Sequence, residues 1–407
     1  MIPSIQIIAG SYDRVLHGLT ATVKPSPTPP APTTKTKKSK DTAATPSQPA
    51  AESASFADTF LFNAHNSAIR CLALSPPSDP TPAPMSASQL PRTSTRAAAK
   101  PLARSPAPIL ENPKHRDWAS TTARCPIPKA MGRPRGHGAA GRAAERRQRL
   151  CRAPEQQIMI SVSKGERCMR LWNLETGKKS RVLNFERATL AEVGEGRHST
   201  GEARRIVWGT SRGGEEEFAV GFDRDVLVFG MDCVPKCRIM GDVKTKVHEF
   251  GYVETDGQGE ETVLAVATED GRILFFSTAT EDLTKPAEGK TLPVAKLVAQ
   301  LGGKEAGVTG RIKDFAVLPV VDEEGKRTFF AVTAGSDGRI RLWRLGATDL
   351  SGVGKTPKQV GTLLGAYETQ NRITCLEAFI MIPRPLGAEE SEYEFESDES
   401  EDSEDEE

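Results

Sequence analysis

The chain lacks a charge surplus, a long apolar run and any cysteine pattern, and each absence removes a class of protein. Its 54 Lys+Arg balance 54 Asp+Glu, and aromatic residues make up only 6% of 407 positions. No apolar stretch approaches the roughly 18 residues that a membrane-spanning helix needs, so no helical span is expected. Seven cysteines, at positions 71, 125, 151, 168, 233, 237 and 375, are odd in number and scattered. That excludes a disulfide scaffold and fits free thiols in a reducing compartment. The apolar run within the first ten residues is too short for a secretory signal. Cys233 and Cys237 have the look of half a metal site, but no second Cys or His pair follows at ligand spacing, and they read as ordinary thiols. The six histidines form no HExxH pair, and no Gly-x-Ser-x-Gly elbow is present. Gly354-Lys355-Thr356 mimics the end of a phosphate-binding loop, yet Asp349 stands where that loop requires its first glycine. No catalytic, metal-binding or cofactor-binding residue is expected, no cofactor is called for, and the chain reads as non-enzymatic.

What is present is a repeated unit. In residues 329–343, two apolar, partly β-branched runs flank Ser336-Asp337-Gly338 and end in Trp343. Glycine supplies the positive φ of a tight hairpin turn. Residues 263–276 repeat the pattern through Asp270-Gly271-Arg272-Ile273 and end in Phe276. Residues 218–229 carry it around Asp223 to Phe229, and residues 158–172 around Gly165 to Trp172. A fifth, shorter copy opens the chain around Asp13. The terminal aromatics lie 57, 47 and 67 residues apart, and polar loops at 281–293 and 346–358 absorb the excess over a repeat of roughly 40–45. Four hairpins in one register, each ending in an aromatic, point to blades of a β-propeller. Inner strands are expected at 205–208, 247–253 and 312–318, and outer strands at 236–240, 294–298 and 359–364.

The two ends of the chain complement one another. Residues 60–74 and 363–376 each read as an outer strand, a turn at His65 or Tyr367, and the inner strand of a following blade. The C-terminal copy stops after its inner strand, while the N-terminus starts with a hairpin that lacks one. Pairing the two completes a four-stranded blade and removes the free sheet edge. The expected organisation is therefore a closing-blade hairpin at 1–23, a disordered Pro/Ala/Thr/Ser/Lys-rich loop at 24–55, and strands at 56–75. Four blades and the closing inner strand occupy 158–386, and an acidic disordered tail 387–407. His65 occupies the place where such repeats put a histidine that bonds toward the turn Asp and the Trp.

Residues 76–157 interrupt the pattern. The stretch 75–157 holds 14 of the 29 prolines, which cannot donate to a strand ladder. Residues 92–152 hold 15 basic residues and 3 acidic ones. The segment reads as a disordered insertion whose arginines bind RNA phosphates, as a solvated linker, or as out-of-frame or mis-spliced translation, which best explains its Ala/Arg/Gly/Pro mixture. Residues 116–118 and 125–130 look like remnants of propeller strands. Seven blades are then expected, two of them incomplete here, and five if the segment is genuine.

Residues 5–18, 62–75 and 163–178 resemble the fungal maintenance-of-killer WD-repeat family of 60S ribosome assembly factors, whose animal relative is a p21-activated-kinase-interacting WD protein. The resemblance implies an all-β WD40 propeller that acts as a scaffold in 60S biogenesis and pre-rRNA processing. It also implies a nuclear and nucleolar location, pre-60S ribosomal proteins and assembly factors as partners, and contact with pre-rRNA only indirectly. No membrane partner is implied, and the protein would be a monomer within a larger particle. The alternative it leaves open is a signalling adaptor that inhibits a GTPase-activated kinase. Lys35-Thr-Lys-Lys-Ser-Lys40 has the form of a nuclear import signal, and also of solvated loop lysines.

The last 19 residues contain 13 acids, which leaves about +13 on everything before them. Ser397, Ser400 and Ser403 sit among these acids as candidate phosphorylation sites. Glu406 lies three residues after Ser403, as an acidophilic kinase of the casein-kinase-two type prefers. Phosphate on Ser403 would supply the acidic group that Ser400 lacks, and Ser400 would do the same for Ser397. Ser403→Ala should therefore lower phosphate at Ser400 and Ser397 by mass spectrometry. Unchanged occupancy at Ser400 would dismiss the order.

Overall fold

In a computed structural model of the chain, residues 3–24, 54–74, 158–163, 166–193, 202–241, 243, 245–256, 261–286, 289–321, 325–351 and 358–381 are described, with residues 148–152 described as backbone alone. The repeated hairpins form five sheets among these residues. Blade I holds Gln148–Arg152, Ile158–Ser163, Cys168–Asn173 and Lys179–Asn184. Blade II holds Arg205–Thr210, Glu216–Gly221, Val226–Gly230 and Pro235–Ile239. Blade III holds Val247–Glu254, Thr262–Thr268, Arg272–Ser277 and Lys296–Gly302, and blade IV Ile312–Val321, Arg327–Gly335, Arg339–Gly346 and Thr362–Glu368. Within each blade, chain neighbours pair antiparallel from the inner strand outward. This is an all-β WD40 β-propeller.

The closing blade joins the two ends as the pattern requires. Ile373–Ile380 is its inner strand and pairs antiparallel with Ser4–Ser11, from Ile5↔Ile380 to Gly10↔Cys375. Val15–Val23 and Ala54–Asn63 follow outward. A second tie crosses to blade IV at the outer edge. There the Tyr367 hydroxyl donates to Asp58 Oδ1 at 2.7 Å, and His17 Nε2 lies 2.6 Å from the same oxygen. These two hydrogen bonds, from Tyr367 first and then His17, hold the Asp58 carboxyl below its usual range.

Apolar cores lie between consecutive blades. Phe229 packs with Ile160 and Met169 of blade I, and Phe276 with Val207 and Val228 of blade II. Trp343 packs with Phe275 of blade III, and Phe330 of blade IV packs with Ile7 and Leu19 of the closing blade. Each terminal aromatic thus faces the blade before its own. Trp172 alone of the four is only half buried. No sheet among the described residues stands on that side of blade I.

Three expectations are corrected. Blade I does have an inner strand: Gln148–Arg152 pairs from Gln148↔Ser163 to Arg152↔Met159. Its sequence, basic and without alternation, carries no strand pattern, and it lies within the segment expected to be disordered or mistranslated. Residues 69–74, expected as the inner strand of a further blade, form no strand, because no hairpin among the described residues offers them a ladder. Residues 358–360 do not begin blade IV's outer strand. Lys358–Val360 adds instead as a parallel fifth strand on blade III, and the chain crosses over at Gly361 (φ +88°) before Thr362–Glu368. The proposed remnants at 116–118 and 125–130 lie outside the described residues, as do Gly354-Lys355-Thr356, the tail and residues 25–53 of the loop expected at 24–55, whose last two residues belong instead to the strand Ala54–Asn63.

If the two ends share one blade, removing residues 5–17 or 373–382 should unfold the whole assembly at lower temperature. A melting temperature within about two degrees of the intact chain, no more than about 1 kcal/mol for a domain of this size, would contradict the closure.

Candidate functional site at the channel mouth

The hairpin turns and the starts of the inner strands share one end of the propeller. Backbone bonds fix this: Glu269 N donates to Lys246 O at 3.0 Å, Ser336 N to Arg311 O at 2.8 Å and Tyr12 N to Arg372 O at 2.9 Å. The same turns also grip the chain leading into the next blade. Val247 N donates to Asp223 O, Gly303 N to Gly271 O, Thr369 N to Gly338 O and Ile69 N to Ser11 O, at 2.9–3.1 Å. Gly271 and Gly338 have φ of +83° and +76°, and a Cβ there would come within 2.8–2.9 Å of carbonyl oxygens of that incoming chain. The Asp-Gly turn is thus needed twice, for its backbone sign and for the close approach. Ile69 shows that the lead-in after the closing blade is in place even though the described residues 70–74 form no strand.

The turn acids are held by arginines. Asp337 accepts from Arg341 at 2.7 Å and Asp270 from Arg272 Nε at 2.7 Å, while Glu166 pairs with Arg170. In blade II, Asp225 meets Arg238 at 2.6 Å, both almost fully buried. Removing one partner of such a pair strands the other charge and costs about 3–5 kcal/mol. The histidine of the usual repeat is absent from these blades, and the guanidinium takes its place. The other half of the repeat's polar network is kept: Trp172 Nε1 donates to Ser161 Oγ at 2.8 Å and Trp343 Nε1 to Thr333 Oγ1 at 3.2 Å. Ser161 and Thr333 carry no mark in the sequence pattern, because each lies opposite an arginine and reaches its Trp diagonally, two positions along the partner strand. Asp13 is exposed on the first turn, and Phe229 and Phe276 are buried. Asp223 pairs with Arg204 at 2.7 Å. His65 is exposed and bonds to none of the described residues. Ser397, Ser400 and Ser403 lie outside them.

The mouth itself carries a pattern absent from the turn motif. One basic residue, always exposed, precedes the inner strand in four consecutive blades: Arg204, Lys246, Arg311 and Arg372. Three of those strands then carry a β-bulge at the same place, with the ladder skipping His248, Lys313 and Thr374. A bulge re-aims a side chain without breaking the register beyond it. Two carboxylates answer the cations: Arg311 Nε lies 2.9 Å from Glu269, and Lys246 3.9 Å from Asp223. Arg372 has only the face of Tyr12, at 5.8 Å, and Lys313 has no hydrogen-bond or ion-pair partner among the described residues. Burial, then Arg311 and Arg372, depress the Lys313 pKa. Burial, then Lys313, push His248 down to about 4, so its ring is neutral, and its Nε2 is buried without a partner. The mouth can therefore take an anion.

Below this layer the sign reverses. Glu249 pairs with Arg205, Asp314 accepts from Leu376 N at 2.9 Å, and burial followed by Asp314 pushes Glu377 up to about 7. Among the described residues no three His, Cys, Asp or Glu side chains are grouped to hold a metal. Cys237 is buried, with its thiol pushed up to about 12 by desolvation.

The chain is thus a WD-repeat propeller with a basic mouth. No protein-family model matches it, and no curated protein does. Solved structures similar to it include the N-terminal part of BBS1 in complex with ARL6, soaked with lead (15% identity, TM-score 0.34, 50% of this chain and 55% of that one). Others are the Myceliophteria thermophila Cps50 (Swd1) beta-propeller domain (15%, 0.32, 53% and 57%) and a humanized Chaetomium thermophilum Polycomb Repressive Complex 2 bound to GSK126 (14%, 0.37, 56% and 44%). The chain spans less than two thirds of each. Likeness at this level adds nothing to what the sheets define.

Glu377 gives a pH dependence of definite sign. Between 4.5 and about 7 the folded carboxyl keeps a proton that the unfolded one has lost, so stability falls as pH rises through that window. Glu377→Gln should melt above the parent chain at pH 8, with the gap closing toward pH 4.5. An offset that is the same at both pH values would refute this.

Proposed function

We propose that this protein is a non-catalytic WD-repeat scaffold of large-subunit ribosome assembly, acting in the nucleolus through contacts with pre-60S ribosomal proteins and assembly factors. The observation that carries the reading is the likeness of residues 5–18, 62–75 and 163–178 to the maintenance-of-killer family. Those residues build the closing hairpin, the lead-in gripped by Ser11 and the blade I hairpin. The lysine cluster at 35–40 and the acidic tail are consistent with a nuclear factor among basic proteins. A propeller by itself does not name its partners, because the fold hosts many.

The second reading, a kinase-inhibiting adaptor, rests on the animal branch of the same resemblance. Affinity purification of the tagged full-length chain separates the two. Recovery of large-subunit precursors supports the first reading. Recovery of a GTPase-activated kinase without them replaces it with the second.

A further inference from the structure

The basic mouth and the acidic tail are opposite in charge and belong to one chain. At the mouth, Arg204, Lys246, Arg311, Lys313 and Arg372 converge from four blades against two carboxylates, Asp223 and Glu269. The bulges at His248 and Lys313 turn those side chains away from the ladder, and Lys313 and Arg372 have no carboxylate partner among the described residues. Lys246, Arg311, Lys313 and Arg372 are near enough to Lys313 or His248 to act on their charge, and the carboxylates Asp223 and Glu269 are interleaved among the cations, a spacing that separate side-chain carboxylates can match.

The tail has the chemistry and the reach. Residues 389–407 carry 13 acids. The last described residue is Met381, one step beyond an inner strand whose other end, Ile373, is at the mouth. That strand of 8 residues is about 26 Å long. Residues 382–389 extended cover about the same distance, and residues 382–407 about three times as much. A tether of that length keeps its ligand at an effective concentration of roughly millimolar.

We propose that the channel mouth is a binding site for an acidic polypeptide and that its occupant is this chain's own residues 389–407. The proposal stands on the mouth and the tail, and not on the ribosomal reading.

Carbodiimide coupling of the full-length chain tests it, since the reagent joins a lysine amine to a carboxyl touching it. An equal mixture of isotope-labelled and unlabelled chains separates links within a chain from links between chains. Lys313 and Lys246 should join residues 389–407 of the same chain. Arg311→Gln with Arg372→Gln should lower that yield about fivefold, and so should about 0.5 M salt. Links confined to other lysines, such as those at 35–40, links only between chains, or a yield indifferent to the arginines would overturn the assignment. A fluorescent peptide of residues 389–407 gives a second reading. It should bind a full-length variant with all tail acids changed to Asn or Gln about tenfold more tightly than it binds the parent. Equal affinity would leave the site to an acidic segment of another protein and refute the tail, and no binding to either would refute the site.

Discussion

Blades II, III and IV of this propeller are each fastened to the next by one small contact, the backbone of a hairpin turn pressed against the chain that enters the following blade. The contact fixes where each inner strand begins, and so where the mouth cations stand. It also explains why Asp-Gly recurs at 270–271 and 337–338: a side chain at either glycine would strike a carbonyl of the incoming chain. The apolar cores supply most of the burial. The turn contact is a register pin.

Charge is layered along the axis in a way composition could not reveal, since the totals cancel. Asp225, Asp270 and Asp337 are neutralised by arginines of their own blades, while Asp223 and Glu269 answer Arg204, Lys246 and Arg311, which leaves Lys313 and Arg372 as the surplus among the described residues. One layer down, Glu377 and Asp314 are close enough for one to raise the other's pKa. Anions are thus favoured at the mouth and disfavoured just inside it.

The sequence was legible where physics is local. Hairpins with a glycine turn and a terminal aromatic, the inner strands at 205, 247 and 312, and the joining of residues 5–17 to 373–380 could all be read from residue pattern. Gln148–Arg152 could not, because an inner strand is chosen by the edge waiting for it rather than by its own alternation. The opposite holds at 69–74, where the pattern of a strand is present and the described residues offer it no edge. The mouth was missed for a different reason. Its signal lies in the residue before each inner strand, in Lys246-Val-His, Arg311-Ile-Lys and Arg372-Ile-Thr, and appears only when the blades are aligned by strand start instead of by turn. The arginines that replace the usual histidine were likewise hidden, since they stand two to thirteen residues past their acids.

The repeated bulge has a consequence for how such a protein can diverge. Thr374, skipped by the ladder, is held by its bonds to Gly10 O and Ile69 O, but residues 248 and 313 are skipped with no such tie among the described residues. A substitution there changes what the mouth offers a ligand while the pairing on both sides keeps its register. Recognition is in this sense written on replaceable positions, and one scaffold can be re-addressed without being refolded.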